Sequence, residues 1–102
     1  MIYIAGPMMG CSEMNYPLFR AVAAQLREAG WEVINPADNP PQPSWEHYMR
    51  LSVRQVAESG ALMMLPGWEG SRGARLEHHI AVELRIPIYH YTEWVEQQCH
   101  KR

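Results

Sequence analysis

Glu77 is the residue with the clearest chemical potential. It closes the run Ser71-Arg72-Gly73-Ala74-Arg75-Leu76-Glu77. At helical spacing it shares a face with Gly73, Ile80, Ala81 and Leu84. A carboxylate on the packed face of a helix costs free energy unless it has partners or a task. A nearby helix N-terminus favours its ionised form, and an ionised, partly desolvated glutamate beside a sugar or phosphate is a nucleophile. The plainer alternative is an ordinary glutamate near a helix start. The loop before it, Gly67-Trp68-Glu69-Gly70-Ser71-Arg72-Gly73, leads from a strand into that helix. Glycines allow close backbone approach to a ligand, and free N–H groups at a helix start favour an anion. Arg72 and Arg75 add possible charge-assisted bonds to a phosphate. The run is neither a Walker A loop nor G-x-G-x-x-G. It could equally be a connection with two solvated arginines.

Other side chains carry weaker signals. Trp45 and Trp68 flank the expected cleft and could stack on a base, or serve as core or contact residues. Met8 and Met9 could line a base pocket or simply pack. His78 and His79 are adjacent, so they point in different directions on a helix and form no two-ligand metal face. No metal and no cofactor is expected. His90 at a strand end reads as structural. Cys11 has no visible histidine partner and is not read as a nucleophile.

The elements that must position these residues alternate regularly. Met1–Ala5 is a short apolar strand stopped by Gly6-Pro7. Tyr16–Ala29 carries Phe19, Val22, Ala23, Leu26 and Ala29 at amphipathic helical spacing, after a cap at Ser12 or Asn15. Gly30 stands where a helix-terminating glycine belongs, and Trp31–Ile34 is a second strand. The segment Pro36–Pro43 has four prolines, so it is an ordered loop or a lid. Ser44 caps a helix over Trp45–Glu58. Ala61–Leu65 is a third strand, apolar on both faces as a central parallel strand should be. A third helix spans Arg72–Leu84, then a strand at Ile86–Tyr91. Thr92 caps a last helix, Glu93–Cys99. Strands alternating with helices predict one domain over 1–102, an α/β fold with a small doubly wound, flavodoxin-like parallel sheet of four strands and helices on both faces. Ligands of such folds bind at the carboxyl ends of the strands. Here those ends are Gly6-Pro7-Met8-Met9-Gly10, Asn35-Pro36-Ala37-Asp38, Pro66–Gly73 and His90-Tyr91.

Composition removes several classes of function. The chain has 102 residues, 47% of them hydrophobic and 20% charged, with a formal net charge of -2. Lys101 is the single lysine, so the concentrated positive face of a nucleic-acid polymer binder is missing. The longest apolar run, around Ala61–Pro66, is far short of the ~20 residues that span a bilayer, so no membrane partner is expected. The start Met1-Ile2-Tyr3-Ile4-Ala5 has no basic region of a secretory leader. Cys11 and Cys99 are far apart, which disfavours a disulfide scaffold or zinc ribbon. A cytoplasmic location is the expectation. The exposed apolar load expected of so small a sheet, with Trp31, Trp94 and the methionines, predicts a homodimer or higher oligomer.

Three runs together resemble the nucleoside 2-deoxyribosyltransferase superfamily, which includes the 2′-deoxynucleoside 5′-phosphate N-hydrolases. They are Tyr3-Ile4-Ala5-Gly6-Pro7-Met8, Asn35-Pro36, and Ser71-x-Gly73-x-x-x-Glu77 followed by Ile80-Ala81. Small phage and prophage members of that group are similar in Leu65-Pro66-Gly67-Trp68-Glu69 and Ser71-Arg72-Gly73-Ala74. The resemblance implies a nucleoside or nucleotide as the small-molecule partner. It implies that Glu77 attacks the anomeric carbon and displaces the base, leaving a glycosyl–enzyme that passes to water or a second base. Tyr3 and the Gly6–Met8 turn would lie near Glu77 and the sugar, and Ser71 and Gly73 would help hold a 5′-phosphate. Ser71 stands where transferases of the group carry an aspartate, which leans the resemblance to hydrolysis. Ser59-Gly60 replaces an aspartate that the group often carries before the third strand. The leaving base needs a proton, for which Asp38, the only aspartate, or Glu46 or His47 are the candidates. The alternative is a non-catalytic nucleotide-binding or sensor module on the same scaffold.

Overall fold

Ile2, Tyr3, Ile4 and Ala5 are all buried, as a central strand covered on both faces must be. They form β1 (Ile2–Ala5) of a single parallel sheet with β2 (Val33–Ile34), β3 (Ala61–Met64) and β4 (Ile88–His90), in the order β2-β1-β3-β4. The helices are α1 (Tyr16–Glu28), α2 (Trp45–Glu58), α3 (Arg72–Glu83) and α4 (Tyr91–His100). The computed structural model describes residues 1–100, with side chains through Gln98. Lys101 and the side chain of Cys99 therefore lie outside the described residues, and so does the expectation that Cys11 and Cys99 form no disulfide.

Alternation along the strands divides the core in two. Ile2, Ile4, Ala61, Met63 and Leu65 face α1 through Phe19, Val22, Ala23 and Leu26, with Tyr91 and Trp94 of α4 packed against them. Tyr3, Ala5, Leu62 and Met64 face Val56 of α2 and Ala81 of α3. So α1 and α4 cover one face of the sheet, and α2 and α3 the other. The chain leaves β1 toward α1 and leaves β3 toward α3, on opposite faces. A doubly wound sheet opens its ligand crevice at such a reversal of winding, and here that point lies between β1 and β3.

Several boundaries differ from the sequence reading for local reasons. β2 starts at Val33 instead of Trp31, because the Gly30 and Trp31 amides bond back to the carbonyls of Arg27 and Leu26 and close α1. Gly30, at φ 99°, is the left-handed terminator expected there. β4 is only Ile88–His90, because the Ile86 amide is taken by the Ala81 carbonyl and Pro87 has no N–H to give. Leu84, expected on the packed stripe of α3, follows the last helical residue and is 54% exposed. Three short 3-10 turns, Ser12–Asn15, Pro36–Asp38 and Trp68–Gly70, are absent from the sequence reading. They follow β1, β2 and β3 and shape the loops at the ligand-binding end. Asn15 precedes α1 but does not cap it with its side chain; its Nδ2 instead donates to the Pro7 carbonyl at 2.9 Å.

Candidate functional site

A cavity of about 640 Å³ lies over the tip of β1, between the first turns of α2 and α3. Its floor holds Tyr3, Ile4, Gly6 and Glu77. α3 supplies Arg72, Gly73 and Ala74 next to Ser71, and α2 supplies Trp45, Tyr48 and Met49. The loops contribute Met8, Met9, Met14 and the proline segment around Pro40 and Pro41, and Tyr16 and Phe19 enter from α1. Two glycines make these approaches possible. A Cβ on Gly6 would sit 2.7 Å from Leu65 Cβ, so glycine is what lets the β1 tip pass β3. A Cβ on Gly73 would lie 3.1 Å from Met49 Sδ, so its absence lets α3 approach α2.

Ser71 starts α3 by accepting the Ala74 amide on its hydroxyl at 3.2 Å, as an N-cap side chain does. This start fixes which positions of α3 face the sheet, and Ala74, Glu77 and Ala81 are the ones buried. Glu77 is 5% exposed, and the fully buried Tyr3 hydroxyl donates a hydrogen bond to its Oε2. Burial pushes the Glu77 carboxyl up to about 8, with the Tyr3 bond working the other way. The Tyr3 phenol is itself pushed well above its ordinary range by burial, then by the neighbouring Glu77 charge. Above the pair, Tyr48 donates toward the Pro36 carbonyl at 3.2 Å and lies 3.3 Å from Met8 Sδ. Its phenol is also raised, first by burial and then by Tyr16 and Glu77. Ser52, one turn further along α2, is fully buried. It tends to lower the Tyr3 pKa, yet its Oγ meets no hydrogen-bond geometry with any partner among the described residues. Ser52 is thus a neighbour of the pair and not a member of it.

At the mouth, the Arg72 guanidinium lies 3.9 Å from the centre of the Trp45 ring, a cation–π contact that parks the cation on the rim. Arg72 and Glu77 are the only charged side chains among those lining the cavity.

Of the residues singled out from sequence, Tyr3, Gly6, Met8, Met9, Trp45, Ser71, Arg72, Gly73 and Glu77 converge on this cavity. Pro7, Asn35, Asp38, Trp68 and Arg75 do not line it. Pro7 anchors Asn15 through its carbonyl. Asn35 is buried and its Oδ1 caps the turn after β2 by accepting the Ala37 amide. Asp38 is exposed, as are Glu46 and His47. Trp68 stacks on His78, ring centres 4.3 Å apart, and approaches His90. That packing, with His79 nearby, holds His78 below the usual imidazole range: burial comes first, then His90 and His79. Arg75 Nη1 donates to the Glu69 carbonyl at 3.2 Å on the surface. Tyr16, Tyr48, Met14 and Met49 line the cavity and went unnoticed in the sequence. Tyr48 and Met49 had a usable signal, standing one turn after the Ser44 cap on a helix that starts at the ligand-binding end. Among the described residues no three His, Cys, Asp or Glu side chains are grouped to hold a metal ion, and no helix is long and apolar enough to cross a membrane.

A buried acid with a phenol donor, facing a half-open, largely apolar cavity with one cation at its rim, can bind an anionic organic ligand. It can also present a carboxyl oxygen to an electrophilic carbon. Among curated proteins none matches this chain. Residues 1–90 match the family described as a domain of unknown function, DUF4406, and the chain belongs to that family.

Proposed function

We propose that this member of the DUF4406 family cleaves or transfers at the N-glycosidic bond of a nucleoside, deoxynucleoside or nucleoside 5′-monophosphate, with Glu77 as nucleophile. The observation that carries this reading is the Glu77 carboxyl, buried at the cavity floor at the β1/β3 switch point and fixed by the Tyr3 hydroxyl. In the reaction a Glu77 oxygen bonds to the anomeric carbon as the bond to the base nitrogen breaks. The base leaves with that electron pair and takes up a proton. Water then attacks the anomeric carbon of the glycosyl ester, giving up its proton, and frees Glu77 and the sugar. Attack needs the ionised carboxyl. With a pKa of about 8, about one-tenth of Glu77 is ionised at pH 7. The Tyr3 bond strengthens on ionisation, and the positive charge that develops on the sugar favours it further. Arg72 at the rim suits a 5′-phosphate. Asp38, Glu46 and His47 lie outside the cavity lining, so the leaving base takes its proton from water in this reading.

The lack of a second carboxyl in the lining favours one other reading, a nucleotide-binding module without turnover. One experiment separates them. Deoxynucleoside and nucleoside 5′-monophosphates are incubated with wild type and with Glu77→Ala, and free base is measured. Base released by wild type and lost in the variant supports the enzyme; tight binding with every ligand recovered intact supports the module.

A further inference from the structure

Among the described residues, Ser52 Oγ is the single buried side-chain nitrogen or oxygen without a hydrogen-bond partner. Buried hydroxyls are nearly always paired, and an orphan in a native structure calls for a reason. A helical serine usually finds its partner in a carbonyl one turn back, here that of Tyr48, and Ser52 does not. It is fully buried on α2, between Met49 and Val56 of the same packed face. It stands close enough to Tyr3 to pull the phenol pKa down, against the effect of burial. The Tyr3 hydroxyl spends its one proton on Glu77, while its oxygen can still accept. An unused donor therefore stands beside an oxygen with room for one. The other titratable or charged groups that line the cavity are Tyr48 of α2, Tyr16 of α1 and Arg72 of α3. Tyr48 is turned to Pro36 and Met8. Arg72 lies on the Trp45 ring, and Tyr16 is covered by the Arg20 guanidinium. Ser52 is left as the free donor beside the pair.

We propose that Ser52 is a positioning residue for the Glu77 carboxylate: when Glu77 loses its proton, the Ser52 hydroxyl turns onto the Tyr3 oxygen and completes a chain from Ser52 through Tyr3 to Glu77. The Glu77 proton leaves to solvent through the cavity, and Tyr3 keeps its own. The new charge polarises the Tyr3 O–H and makes the phenol oxygen a better acceptor, because linked hydrogen bonds in a low dielectric strengthen one another. The neutral acid exerts no such pull, so the serine stands unpaired beside a carboxyl that burial keeps protonated. The proposal rests on the N-glycosidic reading and names the group that holds its nucleophile through Tyr3.

The test follows the ionisation of Glu77 itself, by carboxyl carbon NMR across pH on the full-length protein, with Glu77→Gln to assign the signal. Ser52→Ala raises the midpoint from about 8 by about one pH unit, a tenfold drop in the ionisation constant. In a Tyr3→Phe background the same substitution leaves the midpoint where it was, because Ser52 acts through the phenol. Thermal unfolding gives a second readout, which a merely structural serine would not produce. Ser52→Ala matches or exceeds wild type at about pH 5, where Glu77 is neutral, and melts lower at about pH 9, where wild-type Glu77 is ionised. Three results overturn the proposal: a midpoint that falls or rises by less than about half a pH unit, an equal rise without the Tyr3 hydroxyl, or the same melting change at both pH values. The reading it rests on fails separately, since neither measurement needs turnover. If wild type releases no base while the midpoint moves as expected, the nucleophile is lost and the chain through Tyr3 stands. If base is released and the midpoint does not move, the reverse holds.

Discussion

At the scale of the residue, Glu77 makes opposite demands on stability and on activity. Its carboxyl is raised by burial to about 8, so the folded state holds a proton that the unfolded state releases near pH ~4.3. The stability that comes from burying the neutral acid is complete below the unfolded value. It is lost as pH climbs through that value toward 8, a loss on the order of a few kcal/mol. Glu77→Gln keeps an acceptor for Tyr3 without the ionisation. Its melting temperature therefore exceeds that of wild type above pH 8, and the two converge below pH ~4.3; thermal unfolding across pH measures this. Activity runs the other way, because only the ionised carboxyl attacks. We expect kcat/KM for base release to climb about tenfold per pH unit below 8 and to level off above it. A profile that falls over that range would mean that Glu77 works as an acid.

At the scale of the element, the site depends on how strands end and helices begin. Ser71 holds the first turn of α3 through the Ala74 amide, so Ser71→Ala lowers stability by about 1 kcal/mol in denaturant unfolding. Gly6→Ala drives a Cβ to 2.7 Å from Leu65 Cβ, against a backbone-fixed atom that cannot rotate away. It costs about 1–3 kcal/mol and loosens the floor on which Glu77 sits. Both measurements address helices and strands that were readable in advance, since α2 runs over the expected Trp45–Glu58. The periodic apolar positions and caps carried that information. Strand ends were less legible, because β2 and β4 shorten through amide bonds to the Leu26 and Ala81 carbonyls five residues back, in the turns that close α1 and α3. The proline segment was legible as a loop or a lid, and Pro40 and Pro41 do line the cavity.

At the scale of the molecule, the order β2-β1-β3-β4 brings together residues 74 positions apart, Tyr3 and Glu77, at one crevice. The alternation of strands and helices foretold that crevice, and so foretold half of its lining. It could not foretell that Asp38 and Trp68 turn away, because their side chains are directed by 3-10 turns that local propensity does not mark. Val82, Leu84 and Tyr89 are exposed, Tyr89 in the edge strand β4, and exposed apolar side chains and strand edges invite a second copy. Sedimentation velocity at micromolar concentration is expected to show a homodimer, and a monomer there would count against it.

The central claim concerns one bond, between Glu77 and a pentose. A 5′-monophosphate of a 2-fluoro-2-deoxyarabinosyl nucleoside slows hydrolysis of a glycosyl ester and lets it accumulate. Intact-mass measurement followed by peptide mapping then shows whether such an ester forms. Wild type should gain the mass of one fluorinated pentose phosphate on the peptide that contains Glu77, and Glu77→Ala should gain none. An unmodified protein that still releases base, or an adduct that persists in Glu77→Ala, would contradict the account.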